Sequence, residues 1–379
     1  MPFQKHRLIV GFIFLAVALS AVLAFGDLVL FAFKPAQPGS DKIVILEVRK
    51  GQNNLEITRS LESEGVVRDA KTFYRLGRLS RQWKNIKAGE YKVSPAMSPI
   101  QIFSILTSGI SLVHQITVRE GENMYEIAAD LESKRLTTRK RFLELCRNPE
   151  FFRPLLGDQS DGIANLEGYL FPDTYFFNRS LSAEDMIRQM VRRFLAMWSD
   201  AELVRAKELG FSRHQTITLA SIVEKETGVP QERPMISSVF HNRLKKKMRL
   251  QSDPTTIYGI WERYDGNLQK ADLSEKTPYN TYAISGLPPG PISNPGKEAI
   301  HAALFPVESP FLFFVSHNDG THEFTRTFAE HSNAVRRFQM DRSARAGKSW
   351  RDFSTRAKGA TGTPKVEGTA GQGLGTSQP

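Results

Sequence analysis

Cysteine is almost missing: Cys146 is alone among 379 residues, which excludes an intramolecular disulfide framework and a structural zinc site of the multi-cysteine type. The eight histidines are scattered, with no HExxH or related spacing, so no metal centre is expected. A GxSxG elbow is absent, as are glycine-rich phosphate loops of the Walker or dinucleotide kind, and Cys146 lies in a helical pattern where burial is its expected fate. Nucleophilic triads and nucleotide chemistry therefore have no motif to stand on, and no cofactor is expected.

Positive charge is plentiful. The formal net charge is +11, and the segment from Arg345 to Pro379, with six basic residues against two acidic ones, supplies +4 of it. Such a balance suits anionic lipid headgroups or an acidic wall polymer, or simply a basic solvated surface; nucleic acid is not an expected partner for an exported chain. With 40% hydrophobic and 24% charged residues, the chain can fold two or more domains with real cores.

From Leu8 to Phe33 the chain is apolar except for Asp27, longer than the roughly 20 residues that span a bilayer. A membrane helix is expected over 8–33. Lys5, His6 and Arg7 precede it, so the positive-inside bias leaves residues 1–7 cytoplasmic and exports the rest. A cleaved signal peptide is the competing reading, with small residues between Ala18 and Ala24. The apolar run resumes at Leu28–Phe33, which favours a retained anchor. A Pro/Gly/Ser linker fills 34–41.

The next segments repeat. Val48-Arg49-Lys50-Gly51 matches Val118-Arg119-Glu120-Gly121, Asn53 matches Asn123, Glu56-Ile57 matches Glu126-Ile127, and Leu61-Glu62-Ser63 matches Leu131-Glu132-Ser133. Each copy reads as strand, glycine turn, helix, short link and second helix (Ala70 to Leu79; Thr138 to Arg147). A strand over 88–93 and a helix opened by Ser98-Pro99 complete the first copy. The segments fall at 42–111 and 112–155. Modules of this strand-helix-helix-strand kind resemble LysM-like modules, which implies glycan binding; plain scaffolding is the alternative.

A larger domain is expected over 156–344 and a disordered basic tail over 345–379. Asp161 to Tyr175 mixes aromatics, acids and breakers, as an ordered loop lining a cleft does. An amphipathic helix follows from Ser182, with Ile187, Met190, Val191, Phe194, Leu195 and Trp198 on one face. Beyond a helix from Ile236 to Met248, the Pro- and Gly-rich run 250–296 predicts long stretches of fixed, non-repetitive backbone. Phe311–Val315 and Thr321–Thr325 flank a turn ending in Gly320, a hairpin pattern, and Thr327 with Glu330 forms a capping box for a last helix.

One helix carries a chemical signal. It begins at His214 and ends at Glu226-Thr227-Gly228; Leu219, Ile222, Val223 and Glu226 fall at i, i+3, i+4 and i+7, so Glu226 continues an apolar stripe. Glu224 projects about 200° away from it, toward solvent or a polar neighbour. A carboxyl on an apolar stripe is costly to ionise, and a raised pKa keeps it protonated near neutrality, as a general acid requires. The plainer alternative is a helix-end glutamate that reaches water past the edge of the core.

The blocks ASIVEKETG, VFHNRL, LQSDPTTIYG, TPYNTY, GLPPGPISNPG, GTHEFT and EHSNAV stand in this order. Together they resemble the endolytic murein transglycosylases, the MltG or YceG-like family, from the N-terminal anchor to about Phe338. The resemblance implies an α+β protein with an N-terminal transmembrane helix, a LysM-like α/β module and a larger mixed α+β catalytic domain. It implies a bacterial cytoplasmic (inner) membrane protein, single-pass, N-terminus inside and catalytic domain periplasmic. Its substrate would be peptidoglycan glycan strands, cut at the β-1,4 bond after N-acetylmuramic acid to leave 1,6-anhydro ends, with peptidoglycan synthases as partners. The catalytic glutamate of the family falls on Glu226. Glu167 in EGYLFPDTY is the rival acid, or a loop residue that bonds nearby backbone amides. Asn242, Asp253, Thr255, Tyr258, Tyr279, Asn280 and Tyr282 are groove candidates by the same resemblance or loop braces, and His322 and Glu330 share that ambiguity. A muramidase-type hydrolase and a non-catalytic glycan-binding scaffold of the wall-synthesis machinery are the alternatives.

Overall fold

The computed structural model describes residues 2–157, 160 and 162–340. The tail expected to be disordered, 345–379, lies outside the described residues. The fold is mixed α+β and divides into two compact units, Met1–Trp198 and Ser199–Pro379.

In the first unit, helix α1 (Pro2–Phe33) includes Phe12–Phe33, a stretch of 22 residues long and apolar enough to cross a bilayer. Its apolar side chains are mostly open: Phe12 is 75% exposed and Phe14 78%. The end of the helix behaves differently, because Ala32 is buried and Phe31 packs on the core of the module that follows.

That module is β1 (Val44–Val48), α2 (Asn54–Ser63), α3 (Ala70–Leu79), β2 (Gly89–Val93) and α4 (Pro99–Ser108). Strand β1 alternates buried and exposed positions, as a strand with one face on a core must. Val44, Leu46 and Val48 face Ile57, Leu61, Phe73 and Phe103, and Phe73 stacks on Phe103 with ring centroids 4.3 Å apart. Strands β1 and β2 pair antiparallel, Leu46 opposite Tyr91. The second copy is β3 (His114–Thr117), α5 (Met124–Ser133), α6 (Arg139–Cys146), α7 (Pro149–Leu156) and β4 (Thr174–Phe177), with β3 and β4 antiparallel. Helix α8 (Ala183–Leu195) buries Ile187, Met190, Val191 and Phe194 of the face expected from its period, together with Met186, and packs on α6 and α7; Leu195 is only half-buried, and the helix ends there, which leaves Trp198 beyond it and half-buried as well.

The duplication reaches individual hydrogen bonds. Asn53 and Asn123 both cap the helix that follows by accepting from its first turn. Gly51 and Gly121 turn the chain at φ 77° and 79°. After the helix, Val66 N–H bonds Leu61 O at 2.8 Å and Leu136 N–H bonds Leu131 O at 3.0 Å; Glu62 and Glu132 each accept a backbone N–H of the next helix at 2.9 Å. Between the copies, Glu90 on β2 is 1% exposed and holds Arg179 at 2.7 Å and His114 at 2.6 Å. Cys146 is buried and free, and burial pushes its thiol well above the ordinary range. The segment ahead of β4 is more than a cleft loop: Ile163, Leu166, Tyr169, Leu170 and Phe171 are core residues, and the Tyr169 ring packs edge to face on Phe194 of α8.

The second unit holds α9 (Asp200–Glu208), α10 (Arg213–Glu226), α11 (Arg233–Lys245), α12 (Asp253–Gly259), α13 (Lys270–Ser274), α14 (Lys297–Leu304), the hairpin β5 (Phe313–Ser316) with β6 (His322–Thr325), and α15 (Phe328–Val335). Phe313 pairs with Thr325 and Ser316 with His322. The run 250–296 is not wholly non-repetitive: Pro254 stands in the first turn of α12, where a missing N–H costs nothing, and α13 follows. Helix α10 is the hub, packed on α9, α11, α12 and α14.

Candidate active site

Helix α10 starts with a reciprocal cap, in which Ser212 Oγ accepts from Gln215 N–H at 3.1 Å and Gln215 Oε1 accepts from Ser212 N–H at 2.9 Å. From Thr216 to Val223 every residue is buried, so the helix is enclosed on all sides rather than along one stripe. Its polar residues return their hydroxyls to the helix itself: Thr216 bonds Ser212 O, Thr218 bonds His214 O and Ser221 bonds Thr218 O. The helix stops at Glu226, where Thr227 is extended and its Oγ accepts from Val229 N–H at 2.9 Å.

The two glutamates of the last turn meet different surroundings. Glu224 finds a polar neighbour and not solvent: its carboxylate accepts from Arg233 Nη2 at 2.7 Å and from Gly296 N–H at 2.9 Å. Glu226 is half-buried and lines a cavity of about 350 Å³. Ser252 Oγ donates to its Oε1 at 2.5 Å, while Oε2 has no partner among the described residues. Burial raises the Glu226 pKa to about 7; the Ser252 hydroxyl pulls it down, the charge of Asp253 raises it, and Arg243 lowers it. At pH 7 about half of the carboxyl is therefore protonated, and the acid form predominates below that. With Oε1 engaged by Ser252, Oε2 is the oxygen open to carry the acid proton toward a ligand.

A buried hydroxyl network fixes Ser252. Its N–H donates to Thr281 Oγ1 at 2.9 Å, Thr255 Oγ1 donates to its carbonyl at 2.6 Å, and the Thr255 and Thr281 hydroxyls are 2.8 Å apart. Asn280 holds the next layer: its Oδ1 accepts from the Thr256 hydroxyl and from Tyr282 N–H, and its Nδ2 donates to the carbonyls of Asp272, Leu273 and Glu275. Asn280, Thr255 and Thr281 are fully enclosed. The loop that carries Ser252 is thus braced by groups already satisfied, which holds the hydroxyl at one distance from Glu226.

Around Glu226 the cavity is lined by Asp253, Tyr282 and Arg243, then by Phe313, Phe314, Phe328 and His331. Tyr282 donates its hydroxyl to Asp253 Oδ1 at 2.7 Å, and burial beside that carboxylate raises the phenol pKa. Arg243 spends Nε on Leu312 O at 2.6 Å and Nη1 on Leu250 O at 2.7 Å, with its guanidinium 5.1 Å over the Phe313 ring. His331 stacks on Phe313 at 5.2 Å, and burial lowers its pKa, which leaves it neutral at pH 7.

Of the candidates read from the sequence, Glu226, Asp253 and Tyr282 meet at this cavity. Thr255 and Asn280 stand behind it as bracing. Asn242 lies off the lining, with Nδ2 on the carbonyls of Ser309 and Phe311 at 2.8 and 3.0 Å, and so do Tyr258 and Tyr279, whose rings pack edge to face at 4.8 Å. His322 bonds Glu232 at 2.7 Å, and Glu330 accepts from Thr327 N–H as the capping box requires. Glu167, in the first unit, is fully buried, and both its oxygens accept from Met124 N–H at 3.1 Å, at the start of α5. Sequence reasoning passed over Ser252, Arg243 and the aromatic wall. Ser252 and Arg243 sit inside LQSDPTT and VFHNRL, but nothing in either string says that these side chains approach a glutamate far away in the chain.

A carboxyl whose pKa is raised to about 7, in a cavity walled by aromatic rings, a phenol, a guanidinium and the Asp253 carboxylate, defines a site for acid–base chemistry on a polar ligand. Residues 46–337 match the YceG-like family, and the chain belongs to it. Among its relatives is the endolytic murein transglycosylase of Bacillus subtilis (strain 168), 33% identical over 317 residues that cover 80% of this chain and 87% of the relative. The endolytic murein transglycosylase of Streptococcus pneumoniae (strain R6) is 28% identical over 364 residues, 86% of this chain and 65% of that protein. The crystal structure of a YceG-like protein from Listeria monocytogenes is 32% identical, superposes with a TM-score of 0.52, and covers 78% of this chain and all of that one.

Proposed function

We propose that the protein is an endolytic peptidoglycan lytic transglycosylase and that Glu226 is its acid and base. The observation that carries the assignment is the Glu226 carboxyl on the cavity wall, its pKa raised to about 7 and its Oε2 without a partner among the described residues. Oε2–H protonates the glycosidic oxygen of the leaving N-acetylglucosamine as the bond to C1 of N-acetylmuramic acid breaks. The resulting carboxylate takes the proton of that sugar's own 6-hydroxyl as O6 closes on C1, giving the 1,6-anhydro end and returning Glu226 to the acid form. No water is consumed, and one carboxyl serves both steps. The aromatic wall suits sugar faces, and Tyr282 with Asp253 offers a donor–acceptor pair for hydroxyls.

Around this centre, α1 serves as a single membrane span with the folded units on the outer side of the cytoplasmic membrane, supported by the basic residues ahead of it and its exposed apolar surface. The duplicated modules of the first unit act as LysM-like glycan-holding elements, and strands delivered by membrane-bound synthases are the natural substrate. A water-using muramidase is the second reading, favoured by Asp253 on the same wall as Glu226.

Purified protein incubated with uncrosslinked glycan strands, with products read by mass spectrometry, tests both. Anhydro ends that disappear in Glu226→Gln, with a loss of rate on the order of 10³-fold or more, are the expected result. Reducing ends support the hydrolase, and undiminished cleavage by the variant removes Glu226 from the mechanism.

A further inference from the structure

A cavity of about 730 Å³ opens between α1 and α3, away from the candidate active site. One wall is apolar: Ala24, Phe25, Leu28 and Phe31 of α1. The other presents Thr72, Arg75 and Arg78, three and six positions apart and so on one face of α3. Both arginines are exposed. Neither has an ion-pair or hydrogen-bond partner among the described residues; Arg75 feels only the through-space attraction of Asp69. Asp27, the single charge in the apolar run, also lines the cavity, is exposed, and has no partner among the described residues.

The position of Asp27 along α1 fixes its depth. Leu8 to Gly26 is a run of 19 residues, about 28 Å of helix, which matches the roughly 30 Å of hydrocarbon in a bilayer. Asp27 then falls at the headgroup layer. In the remaining turn and a half, one side packs on the module, through Phe31 and the buried Ala32 against α3 and α4, while Val29, Leu30 and Phe33 stay exposed. The cleft thus has an apolar wall continuous with the membrane-facing helix, two unpaired guanidinium groups and one unpaired carboxylate, all at the interface.

We propose that this cleft is a phospholipid site, shaped for a headgroup with a primary ammonium next to a phosphodiester, as in ethanolamine lipids. Arg75 and Arg78 hold the phosphodiester with Thr72 beside them, Asp27 accepts from the ammonium, and an acyl chain runs along Phe25, Leu28 and Phe31. A bare anionic lipid would leave Asp27 facing negative charge. A quaternary ammonium has no N–H to donate to it. The inference rests on the reading of α1 as a membrane span.

Native mass spectrometry of the full-length protein in detergent, titrated with phosphatidylethanolamine, phosphatidylcholine of the same chains, phosphatidylglycerol and inorganic phosphate, tests the site. The ethanolamine lipid should bind at least 10-fold more tightly than the other two lipids. Asp27→Asn should erase that preference, and the Arg75→Gln/Arg78→Gln double variant should weaken the ethanolamine lipid at least 10-fold. Equal binding of all three lipids, a double variant that titrates like the parent, or displacement by equimolar inorganic phosphate each overturns the proposal. Fractionation of expressing cells tests the span separately. A soluble chain removes the span, whereas a membrane-bound chain without lipid preference removes the lipid site alone.

Discussion

Glu226 and Glu224 are two positions apart and meet opposite fates. Glu224 is buried against a full cation and a backbone amide, so its charge is compensated; Glu226 has one hydroxyl and a cavity. The sign of the pH effect follows. The folded pKa of Glu226, about 7, lies above its ordinary value of 4.5, so the folded state favours the protonated form and stability falls as pH rises from 4.5 through 7. Glu226→Gln should therefore leave stability unchanged at pH 4.5 and raise it at pH 8 by up to about 3 kcal/mol, seen in denaturant midpoints. Ser252 pulls the pKa of Glu226 down, so its loss should raise it further. In Ser252→Ala the alkaline limb of the pH–rate profile should move upward from about 7, with a roughly 10-fold lower kcat from looser positioning. An unmoved limb would mean that the hydroxyl does not act through Glu226.

At the scale of elements, the duplication lets each copy serve as a control for the other. Gly65 and Arg135 occupy the same place, the left-handed residue after the first helix, at φ 73° and 55°. Glycine adopts that conformation without cost, whereas a residue with a Cβ is strained by about 1 kcal/mol. Arg135→Gly should stabilise the first unit by about 0.5–1 kcal/mol in thermal unfolding, and Gly65→Arg should destabilise it by about as much. The duplication itself is legible in the string, because the residues that repeat are those with local work: a cap, a turn glycine, a helix-end glutamate. Helix α10 illustrates the opposite case. Its period correctly marks Leu219, Ile222 and Val223 as buried, yet Thr216, Thr218 and Ser221 are buried as well, since four other helices enclose it and their hydroxyls are satisfied within the helix.

For the whole molecule, α1 is both the proposed anchor and a part of the first core, through Phe31 and Ala32. A chain that begins at Lys34 should be less stable in its first unit than one that begins at Leu28, by about 2 kcal/mol in urea denaturation. Equal midpoints would mean that the end of α1 is a tether and nothing more. Local rules, meaning period, caps, turn residues and the length of an apolar run, act between residues a few positions apart, and so the sequence alone determined the elements, the repeat, the apolar first helix and the glutamate that stands on a buried face. The approach of Ser252 to Glu226, the guanidinium of Arg243 over Phe313, the aromatic wall and the pairing of α1 with α3 join residues far apart in the chain. Only the tertiary structure could decide them, because desolvation and hydrogen-bond geometry depend on which distant surfaces close over a group.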